Sequence, residues 1–138
     1  MKDLKVDDNG FVQVVGLTTP IIKGTLIGIL VGFIISLIPA VLINGALMST
    51  SGVKFVSTVV LFITGFVSAW FSAIFYGKNG MITGIITGLV ILAVIFLTGL
   101  LFQTVSFEMI DLSLFLIKLF GLMLFGAVGG IFGINIKS

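Results

Sequence analysis

Four apolar stretches, each long enough to cross a bilayer, occupy most of this 138-residue chain. A hydrocarbon core of about 30 Å needs about 20 residues of helix, and in lipid only helices or closed barrels satisfy their own backbone polar groups. The four windows cover residues 21–43, 55–76, 81–102 and 112–134. The expected fold is an all-α integral membrane protein, with four transmembrane helices in an antiparallel bundle. Charged residues make up 9% of the chain and mean hydropathy is +1.39, against about 25% charge in soluble domains. Such a chain could not cover its surface in water.

The same composition removes most chemistry. His and Cys are absent, so imidazole or thiolate metal ligation, disulfides and Cys or His nucleophiles are unavailable, and no cofactor or metal is expected. The carboxylates are Asp3, Asp7 and Asp8 in the tail and Glu108 and Asp111 in a connection. None lies at membrane depth, where a proton- or cation-coupled carrier keeps its acid. Lysines without arginine form no nucleic-acid face, and no phosphate-binding loop of the GxxxxGK[ST] type occurs. With no acid, base or nucleophile cluster inside the spans, the chain is not expected to be an enzyme.

Residues 1–19 read as an N-terminal tail without a cleavable-signal layout, expected to stay attached and cytoplasmic, and residues 20–138 as the transmembrane domain. Thr18 or Thr19 is placed to cap the first helix, with Pro20 in its first turn, and Asn44-Gly45 ends it. The short run Gly77-Lys78-Asn79-Gly80 predicts a tight turn joining spans two and three. With the N-terminus inside, Lys2, Lys5, Lys23, Lys78 and Lys137 fall on the inner side and Lys54 on the outer. That bias predicts a multi-pass protein of the bacterial plasma membrane with both termini cytoplasmic.

Lipid gives helices no hydrophobic reason to associate, so small residues every fourth position supply the contact. They occur as Gly24, Gly28, Gly32, Ser36 and Ala40 in span one and Gly65, Ala69 and Ala73 in span two. Span three has Gly80, Gly84 and Gly88; span four has Gly126 and Gly130, with Gly129 and Gly133 as an adjacent seam. These glycines are expected to pack helix on helix, like a glycine zipper; an oligomer or a glycine-lined conduit is the other reading. Shifting the chain by 56 residues lays Gly24, Gly28 and Gly32 on Gly80, Gly84 and Gly88. This points to a two-span internal repeat of the parallel kind, the alternative being two independently evolved glycine-rich helices.

Lys118 is the one charge well inside a span, since Lys23 is close to the cytoplasmic end of span one and reads as an anchor. Two readings stand. It snorkels to the outer interface, about 9 Å along the helix from Leu112, or it faces the bundle interior, paired with Glu108 or Asp111 or meeting an anionic ligand. Pro39 is expected to kink span one, with Ser36 serving a freed backbone group, and the span threonines to return their hydroxyls to their own helices.

The string GFVSAWFSAIFYGKNGMITGIITGL, the ending GAVGGIFGIN and the start KGTLIGILVG together resemble an uncharacterised family of small four-span integral membrane proteins of Gram-positive bacteria. The resemblance covers residues 20–136 and implies the same four spans. It carries no catalytic or binding residue onto this chain. The expected function is non-enzymatic: a structural or accessory membrane protein acting through helix contacts in the lipid bilayer, with a second copy or a larger membrane complex. The competing class is a small oligomeric channel or carrier for a neutral or anionic solute, using Lys118 and the glycine seams.

Overall fold

The computed structural model describes residues 11–45, 49–101 and 111–137. The charged tail with Lys2 and Lys5, and Glu108, lie outside the described residues. Four helices follow in order: α1 (Phe11–Asn44), α2 (Thr50–Tyr76), α3 (Gly80–Leu101) and α4 (Leu112–Lys137). Each contains a segment long and apolar enough to cross a membrane, the shortest being the 22 residues Gly80–Leu101, about 33 Å of helix. The chain is an all-α four-helix membrane protein.

Local chemistry sets most of the helix ends. Ser49 caps α2, its hydroxyl accepting from the Gly52 N–H at 3.3 Å, and Asp111 caps α4, its carboxylate accepting from the Ser113 N–H at 3.1 Å. Gly77 ends α2 in the left-handed region at φ 71°, its N–H donating to the Ala73 carbonyl, the conformation that a glycine adopts without penalty. Gly45 donates to Val41 to close α1. Residues 77–79 are the whole connection between α2 and α3, so those two helices run antiparallel.

The start of α1 differs from expectation. It begins at Phe11, upstream of Thr18 and Thr19, and Pro20 lies inside it. An internal proline removes one N–H and frees one carbonyl, here that of Gly16, and the helix continues through it. Pro39 is likewise internal, and Ser36 does not serve the carbonyl it frees: the Ser36 hydroxyl donates to Phe33 at 2.7 Å, whereas the freed group belongs to Ile35.

Packing runs around the bundle in the order α1, α2, α4, α3. Here α2 also touches α3 across the short diagonal, and among the described residues α1 meets α3 only briefly and α4 not at all. The packing is uneven along the helices. Among the described residues every buried one lies in 21–32 of α1, 64–73 of α2, 80–91 of α3 or 122–133 of α4. This is the end of the bundle that carries the Gly77–Asn79 turn, and nearly all the span glycines are there. At the opposite end none of the described residues is buried, and residues such as Val41, Phe55, Leu101 and Leu112 are exposed.

The interior is also more polar than the exterior. Buried polar residues are Thr25, Thr64, Ser68, Ser72, Thr83 and Thr87, alongside the apolar Ile21, Ala69, Ala73, Ile91 and Leu122. Large aliphatic and aromatic residues face outward on all four helices. A water-soluble bundle has the reverse arrangement; a lipid solvent permits this one.

Candidate functional site: helix interfaces and Lys118

Three interfaces build the tight end. Between α1 and α2, Gly24, Gly28 and Gly32 oppose Ser72, Ser68 and Thr64: a methyl group on any of these glycines would overlap the opposing hydroxyl. Between α3 and α4, Gly80, Gly84 and Gly88 lie against the backbone of Gly130, Gly126 and Leu122. Numbers rise on one helix as they fall on the other, so both pairs are antiparallel. Between α2 and α4, Gly129 and Gly133 lie against the carbonyls of Phe66 and Trp70 and the methyls of Ala69 and Ala73, and Gly65 meets the Leu122 side chain. Here the numbers rise together and the helices are parallel. Each glycine singled out in the sequence therefore faces another helix of the same chain.

The two antiparallel pairs are chemically different. The α3–α4 contact is backbone on backbone. The α1–α2 contact carries a ladder of hydroxyls, Thr64, Ser68 and Ser72, four residues apart on one face of α2. Thr64 donates to Val60 within its own helix at 2.8 Å, while the buried hydroxyls of Thr25, Ser68 and Ser72 have no hydrogen-bond partner among the described residues. Sequence reasoning took Gly65, Ala69 and Ala73 as the seam of span two and passed over Ser68 and Ser72. Their spacing from Thr64 was the available signal, because it marks a second small-residue face on the same helix.

The expected repeat meets a register difference. A 56-residue shift of Ser72, Ser68 and Thr64 would put the partners of the α3 glycines at Val128, Leu124 and Phe120. The structure puts them two residues further on, at Gly130, Gly126 and Leu122.

Aromatic side chains fill the outer flank of the α2–α4 contact. Phe62 stacks on Phe125, with ring centroids 5.1 Å apart and planes at 12°, and the Phe62 ring covers Gly121. Phe66 meets Trp70 edge-on at 5.8 Å and Phe132 at 6.2 Å. Beside these rings runs an apolar groove of about 290 Å³ lined by Ile63, Phe66, Leu124, Phe125 and Val128.

Two lysines of α4 have different surroundings. The Lys137 ammonium donates to the Ile74 carbonyl of α2 at 3.0 Å, satisfying one of the last carbonyls of that helix at its negative end. Lys118 is exposed at the open end of the bundle and has no hydrogen bond or ion pair among the described residues. Asp111 is two turns away and engaged in capping; the suggested pairing with Glu108 lies outside the described residues. Thr58, Thr83, Thr87 and Thr98 return their hydroxyls to backbone carbonyls of the preceding turn. No cluster of His, Cys, Asp and Glu able to hold a metal ion occurs among the described residues.

A protein-family description reading "Protein of unknown function (DUF3792)" matches residues 17–133, which hold all four apolar segments but the end of the last. No curated protein and no solved structure matches the chain.

Proposed function

The chain belongs to the DUF3792 family, and from that premise we propose that it is a non-enzymatic accessory protein of a bacterial plasma membrane, acting through helix contacts with a second copy or a larger membrane complex. The glycines Gly24, Gly28, Gly32, Gly65, Gly80, Gly84, Gly88, Gly126, Gly129, Gly130 and Gly133 each face another helix and hold the bundle together. The observation that carries the reading is the asymmetry of packing: one end is closed by glycine contacts, and at the other none of the described residues is buried. A partner helix can fill such an opening at no loss of internal packing. Both termini lie in the cytoplasm, on the lysine-rich side.

Photo-crosslinking residues introduced at Leu37, Phe55 and Leu101, and at Phe132 on the closed end, test this in native membranes. The accessory role predicts discrete protein adducts from the open-end positions and none from Phe132. Uniform lipid adducts at all four positions, with solute release from vesicles that depends on Lys118, would instead establish the carrier.

A further inference from the structure

Lys118 and the α2–α4 groove form one feature. Lys118 lies seven residues before Phe125 and three before Gly121, so on a 3.6-residue helix all three share a stripe. That stripe is the one covered by Phe62 of α2, since Phe62 lies over Gly121 and stacks on Phe125. Lys118 therefore lies on the open-end side of the groove lined by Ile63, Phe66, Leu124, Phe125 and Val128, beyond the Phe62 ring and about 10 Å along the helix from Phe125. Helical side chains lean toward the helix N-terminus, so its amine extends away from the groove toward the membrane boundary where α4 begins. A charge at this depth must reach the interface or meet an opposite charge, and among the described residues no carboxylate meets it.

We infer that this feature binds one anionic phospholipid: the phosphate is met by the Lys118 ammonium, and an acyl chain lies in the groove below. The apolar lining suits a hydrocarbon chain and offers nothing to a polar solute. The Lys118 ammonium, unpaired among the described residues, selects an anionic headgroup over a zwitterionic one.

The test uses the purified full-length protein in detergent, given equal amounts of phosphatidylglycerol and phosphatidylcholine, with bound lipid counted by native mass spectrometry. One lysine near a membrane surface contributes about 1 kcal/mol toward anionic lipid, so phosphatidylglycerol adducts should exceed phosphatidylcholine adducts by about fivefold. Lys118→Ala should bring that ratio to about one, and Lys118→Arg should keep it. Val128→Phe, which fills the groove, should lower total bound lipid while circular dichroism still reports the native helix content. Equal adducts in the unaltered protein, a preference that survives Lys118→Ala, displacement of the lipid by millimolar glycerol phosphate, or a lipid-free dimer would each overturn the inference.

Discussion

Gly84 of α3 and Gly126 of α4 meet back to back: a Cβ atom built on either would overlap the carbonyl oxygen of the other. The contact is reciprocal and made of backbone, so no side-chain rotation can relieve an added methyl group. Gly84→Ala should weaken the bundle by about 1–3 kcal/mol, the usual range for overpacking a filled interior, and Gly28→Leu should do at least as much by displacing α1 from Ser68. Gly16→Ala, where nothing lies within 4 Å, should leave stability unchanged or slightly raised. Reversible unfolding in mixed micelles, followed by the fluorescence of the sole tryptophan Trp70, ranks the three variants.

Ser68 and Ser72 are expected to behave in the opposite way. Their hydroxyls are buried without partners among the described residues, and an unsatisfied buried polar group costs about 1–3 kcal/mol. Ser68→Ala and Ser72→Ala should therefore be neutral or stabilising in the same unfolding measurement. A clear loss of stability would mean that the hydroxyls bind something at the α1–α2 interface.

Lys137 joins the end of α4 to the end of α2. Lys137→Met leaves the Ile74 carbonyl without its donor and removes a cation from the negative end of that helix. The last turn of α2 should loosen by about 0.3–1 kcal/mol. Faster hydrogen exchange at the amides of Tyr76 and Gly77, with no change at Gly65, is the expected result.

Helix number, the Gly77–Asn79 turn and the small-residue positions were legible because they depend on length and local chemistry. Partner choice was not. In lipid a large apolar residue serves equally on the outside or between helices, so hydropathy does not mark the core. Periodicity showed that Gly65, Ala69 and Ala73 share a face, yet not that this face meets α4 while Thr64, Ser68 and Ser72 meet α1. The two-residue offset between the glycine pairs was hidden for the same reason: one helix alone carries no record of its partner's register. Pro20 misplaced the start of α1 because proline favours a first turn, although an interior one frees only a single carbonyl. Along its own helix Lys118 looks alike for snorkelling and for an inward pairing; that its stripe is covered by Phe62 depends on α2.

Cysteine accessibility in sealed vesicles tests the four-span arrangement most directly, and the absence of native cysteine lets each introduced thiol report alone. Asn79→Cys and Ile136→Cys should react with a membrane-impermeant maleimide from one side of the vesicle, and Ser51→Cys only from the other. Leu89→Cys, in the middle of α3, should react from neither. Labelling of Asn79→Cys and Ser51→Cys from the same side, or release of the protein from the vesicles by an alkaline wash, would contradict a bundle whose helices cross the bilayer four times.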